Sequence, residues 1–195
     1  MEIIDISQEV LSCAVYPGDP APHSEKLSDM NNGACYNLST ISMCAHNGTH
    51  IDAPLHFIND GKTISDIPLE SVVGSCYVAK HHGNISANDA KTILEKAHES
   101  GADERILISG DAVVTAEAAK VFANAAIKLI GNEGQTVGPE DAPMEVHLIL
   151  LGAGVVLLEG VVLKDVEEGK YFLNAAPLNL EGFEGAPCRA YLIKF

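Results

Sequence analysis

The 195-residue chain contains no tryptophan, and its 12 lysines and arginines face 27 aspartates and glutamates. The formal charge of −15 argues against a nucleic-acid partner, because such binding depends on basic residues that neutralise phosphates. With no polybasic run, an anionic membrane surface is disfavoured on the same ground. Uninterrupted hydrophobic runs are missing too. The most apolar stretch, Val146 to Leu163, is broken by His147, Glu159 and glycines, so it does not read as a membrane span. The segment MEIIDISQEV has neither the basic start nor the apolar run of a secretion signal. Five cysteines (Cys13, Cys35, Cys44, Cys76, Cys188) form no C-x-x-C pair and are odd in number. They read as small apolar side chains in a reduced, cytoplasmic setting.

What is present suits an ordinary globular domain. Hydrophobic residues make up 47% and charged residues 20%, which is enough to build a core. No repeat or linker divides residues 1–195, which read as a single domain. EIIDIS, YNLSTISMC, GSCYVAKH, RILIS, IKLIG, VVLLEGVVL and RAYLIKF read as strands, with the Pro/Gly-rich VYPGDPAP as a loop. SANDAKTILEKAHES reads as a helix, with Ser86 as N-cap, Asp89 three residues on and Gly101 at its end. TAEAAKVFANA reads as a second helix, and GPEDAPMEVHLILLG as a loop entering a third that stops at Gly152-Ala-Gly154. Strands alternating with helices predict an α/β domain.

The concentrated chemistry lies in AHNGTHIDAPLHF, where His46, His50, Asp52 and His56 fall within eleven residues. Gly48, the β-branched Thr49 and Ile51, and Pro54 all oppose a helix. In an extended chain the four even-numbered residues share a face. A straight strand would hold His46 and Asp52 roughly 20 Å apart, too far for one ion, so the chain must bend. The turn dipeptide Asn47-Gly48 stands where the bend is needed. Two imidazoles and a carboxylate on such a segment suit zinc or manganese, which lowers the pKa of bound water to about 7. His56 need not be a ligand and can instead move protons.

A second signal comes from His147 and Glu159, which bracket the eleven apolar or glycine residues Leu148 to Leu158. A segment of this kind is buried, so its polar ends need partners. A reversal at Gly152-Ala-Gly154 would bring them together, and a metal would satisfy the buried glutamate.

HNGTHIDAPLHF resembles the H-x-G-T-H-x-D-x-P-x-H signature of the cyclase family of metal-dependent hydrolases, which includes bacterial kynurenine formamidases and isatin hydrolases. YPGDP and HLILLGAGVVLLEG extend the likeness across most of the chain. The resemblance implies a single α/β domain with a curved, barrel-like sheet flanked by helices, of a swivelling β/α/β kind. It also implies two divalent ions per subunit, zinc or alternatively manganese. His46, His50 and Asp52 would hold the first ion, with Asp52 bridging. His147 would hold the second, and Glu159 would contact both. His56 would donate and accept protons. The implied substrate is a small-molecule amide, N-formylkynurenine of tryptophan catabolism first and a cyclic amide such as isatin second. The implied assembly is a homodimer or homotetramer. A non-catalytic metal-binding module is the alternative of a different class, against which the spare His56 speaks.

The likeness departs at one place. Kynurenine formamidases commonly carry tryptophan before P-G-D to enclose the aryl substrate. Here Tyr16 stands there, and its hydroxyl needs a partner when buried. Asp19 is expected to fix the loop turn through its side chain, while His23 stands in the same Pro-rich region. Cys44 lacks the surroundings of a catalytic cysteine. His81, His82 and His98 read as solvated. Residues 131–143, GNEGQTVGPEDAP, read as a connection, with glycines and Glu133 lining a pocket as the alternative.

Overall fold

In a computed structural model describing residues 1–195, strand β1 (Glu2–Asp5) is followed by the hairpin β2 (His23–Ser28) and β3 (Leu38–Ser42). Next come β4 (His50–Asp52), the short helix α1 (Leu69–Val72), β5 (Val73–Lys80), β6 (Gly83–Ile85) and α2 (Ala87–Ser100). Then follow β7 (Arg105–Ser109), β8 (Ala112–Val114), α3 (Ala116–Asn124), β9 (Leu129–Asn132), α4 (Met144–Gly152) and β10 (Val156–Glu159). The chain closes with β11 (Gly169–Asn174), β12 (Gly185–Pro187) and β13 (Tyr191–Lys194).

Nine strands form one sheet in the order β1-β13-β11-β5-β7-β9-β10-β4-β12. Its centre, β5-β7-β9-β10, is parallel, and parallel neighbours need crossovers, which α2, α3 and α4 provide. Antiparallel strands flank the centre on both sides. RILIS carries three consecutive apolar residues, Ile106 to Ile108, because both faces of β7 are covered. Ile106 and Ile108 join Phe122 and Leu150 on the helix side, whereas Leu107 joins Ile51, Leu158 and Leu192 in a second core.

That second core draws on strands from opposite ends of the sheet, so the sheet curls around it. Ile6, fully buried, marks the near-closure. Its N–H donates to the Ala190 carbonyl beside β13, and its own carbonyl accepts from Val162 just after β10. The curved α/β sheet is the architecture expected from the sequence.

The α2 ends also match. Ser86 and Asp89 form a reciprocal capping box, and Gly101 ends the helix in the left-handed region. One expectation needs correction, and two strands sit where the sequence pattern does not place them. VVLLEGVVL is not one strand, because Gly160, at φ +68°, turns the chain directly after Glu159. YNLSTISMC supplies β3, but this strand pairs only with β2, in an exposed hairpin outside the main sheet. GKYFLN, which carries no strong strand pattern, is the inner strand β11. No helix is long and apolar enough to cross a membrane.

Candidate functional site

Strand β4 lies between β10 and β12, with His50 opposite Glu159 and Asp52 opposite Leu157. Alternation along both strands turns His50, Asp52 and Glu159 to one face. Ile51 and Leu158 point into the core behind them. The bend before β4 falls at Asn47-Gly48, as the spacing requires. Gly48 has φ +66°, and a Cβ there would stand 3.0 Å from the Cys13 Cβ. The Gly48 carbonyl accepts from His50 Nδ1 at 2.9 Å. An acceptor at Nδ1 keeps a proton there and turns Nε2, the ring's other nitrogen, to the cluster.

Helix α4 repeats the device. His147 Nδ1 donates to the Pro143 carbonyl at 2.9 Å, which directs Nε2 inward. The reversal after Gly152 brings His147 to Glu159, Nε2 to Oε1 3.3 Å.

The two carboxylates each face two ways. Asp52 Oδ1 lies 3.3 Å from His50 Nε2 and 2.8 Å from His46 Nδ1, while Oδ2 lies 3.6 Å from His147 Nε2. Glu159 Oε2 lies 3.4 Å from His50 Nε2, and Oε1 faces His147. His50, Asp52 and Glu159 form one group of potential ligands, and His46, Asp52 and His56 form another. Asp52 Oδ2 and His46 Nε2 are buried without a hydrogen-bond partner. His46 Nε2 has the Glu184 carboxylate at 3.4 Å. No lysine or arginine lines the cavity. Once their Nε2 protons are displaced, these imidazoles and the buried carboxylate oxygens converge as an N/O donor set that divalent ions prefer. The residues fit the metal.

Electrostatics separate the histidines. Burial opposes charge on His147, but the facing Asp52 and Glu159 outweigh it and raise its pKa to about 10. His50 is raised well above its ordinary value by the same balance of opposing burial and facing carboxylates. Burial also opposes charge on Asp52, yet His147, His46 and His50 hold its carboxyl well below the usual range. His56 goes the other way: burial lowers its pKa, and the pull of Asp52 does not restore it. It stands in the turn Pro54–His56, with Nε2 3.9 Å from Asp52 Oδ2 and its side chain 29% exposed.

A family model described as "Putative cyclase" matches residues 4–139. The chain belongs to the cyclase family. The match takes in the His46–His56 segment and ends before His147 and Glu159. A kynurenine formamidase of Salinibacter ruber spans both parts, being 32% identical over 206 residues that cover 98% of this chain and 97% of the relative. A solved "potential metal-dependent hydrolase with cyclase activity" is 30% identical, covers 98% of this chain and 96% of its own, and superposes with a TM-score of 0.81. Isatin hydrolase A from Labrenzia aggregata shares the fold at a TM-score of 0.84 and 20% identity, over 100% of this chain and 94% of its own.

The cyclase centre opens into a cavity of about 360 Å³, a size suited to a small molecule. Tyr16 stands in its wall, and its hydroxyl donates to the Glu140 carbonyl at 2.7 Å. Asp19 also lines the cavity. Its backbone N–H, bonded to the Tyr16 carbonyl, holds the loop turn, rather than its side chain. Cys44 lines it too, with its thiol 3.8 Å from Asp19. Glu133 is a strut instead of a lining residue, accepting the Gly110 and Leu163 N–H groups at 2.7 and 2.8 Å. Gln135 and Thr136, from the same connection, do line the cavity.

Phe57 and Glu184 escaped the sequence reading. The Phe57 ring lies 4.5 Å from that of His147 and edge-on to His56 at 4.6 Å, so it orients both imidazoles. Its position beside the signature is the signal that could have found it. Away from the site, His82 and His98 are exposed and pair with Asp111 and Asp103. His23 is exposed at the start of β2.

Proposed function

We propose that this cyclase is a metal-dependent hydrolase that cleaves the C–N bond of an aryl formamide, converting N-formylkynurenine to kynurenine and formate in tryptophan catabolism. The observation that carries this is the pair of two-faced carboxylates. Asp52 and Glu159 each turn one oxygen to His50 and the other to His147. His46, His50 and Asp52 would hold one ion. His147 would hold a second, shared through Asp52 and Glu159. Zinc suits these donors, with manganese as the alternative. Bound there, divalent ions supply an acidified water as nucleophile and offset the charge that develops on the carbonyl oxygen.

The chain's own groups perform the rest. Asp52 stays ionised because its pKa is held down. His56, kept neutral near pH 7 by burial, accepts the proton released as the water oxygen bonds to the formyl carbon. It then passes that proton to the departing nitrogen as the C–N bond breaks, leaving formate and the free aryl amine. Tyr16 closes the wall against which the aryl ring packs.

A cytoplasmic homodimer or homotetramer accompanies this reading. Met144 and Leu148 on α4, and Leu27 and Ile41 on the β2–β3 hairpin, are exposed apolar residues that support association. A two-stranded hairpin paired only with itself gains from being covered.

The test is N-formyl-L-kynurenine hydrolysis, followed by absorbance, with protein stripped of metal and reloaded with zinc or manganese. Turnover that returns with the metal is the expected result. No turnover from protein that demonstrably holds its ions would overturn the aryl formamide assignment and move the substrate to a cyclic amide such as isatin.

A further inference from the structure

Gln135 stands in the wall of the active-site cavity, yet neither its amide nitrogen nor its amide oxygen has a hydrogen-bond partner, although both atoms are buried. Folded proteins rarely keep such a group without a use for it. Nearby Gln8 shows the ordinary outcome: its oxygen accepts the Ala14 N–H and its nitrogen donates to the Gly160 carbonyl.

The unpaired amide is also held in place. On one side, Glu133 anchors the loop to the Gly110 and Leu163 N–H groups. On the other, the Val137 N–H donates to Glu159 Oε1 at 2.8 Å, so the loop is tied to a carboxylate of the cluster. Gly160 makes room for the amide. A Cβ at that position would fall 2.4 Å from Gln135 Nε2. Among the residues lining the cavity there is no lysine or arginine, which leaves Gln135 as a neutral group able to donate and accept at once.

We infer that Gln135 is a specificity-determining residue that reads the amide of the substrate, its Oε1 accepting the scissile N–H and its Nε2 donating to a neighbouring carbonyl oxygen. This rests on the amide-hydrolase reading above. An ester of the same shape has no N–H and leaves Oε1 unpaired, so Gln135 tilts the enzyme toward amides. A site built to hydrogen-bond a substrate N–H discriminates strongly against analogues that lack it.

The test compares formanilide with phenyl formate, which differ in N–H against O, using zinc-loaded wild type and Gln135→Met. Gln135→Leu serves as a second variant should the first fold poorly. The expected result is a loss of kcat/KM of about tenfold or more on formanilide with little change on phenyl formate. Metal content stays the same, and the thermal midpoint is equal or higher because an unsatisfied buried amide is gone. Equal losses on both substrates, or no loss on either, would overturn the inference while leaving the hydrolase reading intact. A wild type that cleaves neither substrate would overturn both together.

Discussion

The imidazole of His56 stacks on that of His46, with ring centroids 4.1 Å apart and planes inclined by 26°. The two rings share Asp52 but face different oxygens of it, His46 at Oδ1 and His56 at Oδ2. His46 lies in the buried cluster, whereas His56 keeps access to the cavity. His56→Ala is therefore expected to lower kcat by about 10²–10⁴-fold, the range for losing a general acid–base group, while bound metal per subunit stays near the wild-type value. His50→Ala is expected to lose metal and turnover together. Metal analysis alongside turnover separates the two outcomes.

The metal-free protein should show a pH signature of its own. His147 has its pKa raised from 6.5 to about 10 in the folded chain. A raised folded pKa gives stability that is fully present below 6.5 and lost as pH climbs toward 10. The thermal midpoint of the metal-free wild type should thus exceed that of metal-free His147→Gln at pH 6, with the gap narrowing as pH rises. Asp52, with its pKa depressed below 3.8, contributes in the opposite sense: its stabilisation is present above that value and fades as pH falls. Because His147 and His50 are protonated near neutrality without metal, zinc binding at pH 7.5 is expected to release protons. Calorimetry in two buffers of different ionisation enthalpy would detect this as different apparent heats, and equal heats would contradict it.

Much of the site is legible in the chain because its determinants are local. The turn at Asn47-Gly48 and the alternation of β4 are properties of adjacent residues, so the spacing of His46, His50, Asp52 and His56 carries the geometry with it. His147 and Glu159 are legible because an apolar run with polar ends must fold back to satisfy both. Gln135 and Glu184 are not, since their placement depends on distant segments. Glu184 reaches His46 only because β12 pairs with β4, and a three-residue strand has no periodicity to read. Gln135 reaches the cavity because Glu133 and Val137 tie its loop to groups outside it. The hairpin β2–β3 shows the converse limit: its alternation marks a strand correctly but does not say which sheet it joins.

Gly48 offers a test of the bend itself. Its φ of +66° belongs to the left-handed region, and a methyl group would crowd Cys13. Gly48→Ala is expected to cost about 1–2 kcal/mol, which lowers the thermal midpoint by roughly 2–8 °C for a chain of this size. The Gly48 carbonyl also fixes the tautomer of His50, so metal affinity should weaken alongside stability. A variant with an unchanged midpoint and affinity would show that the bend tolerates a side chain.

Tyr16 tests how the cavity wall works. Its hydroxyl ties one loop to the Glu140 carbonyl, a bond that tryptophan at this position could not make through a hydroxyl. Tyr16→Phe keeps the ring and removes only that tie. Its effect should appear as a rise of a few-fold in KM with kcat nearly unchanged, because the loop is loosened without touching the reacting groups. Tyr16→Ala removes the ring as well and should raise KM further for aryl formamides than for N-methylformamide, which has no ring to pack. If both variants lowered kcat and left KM alone, Tyr16 would act on the reacting centre, not on the wall.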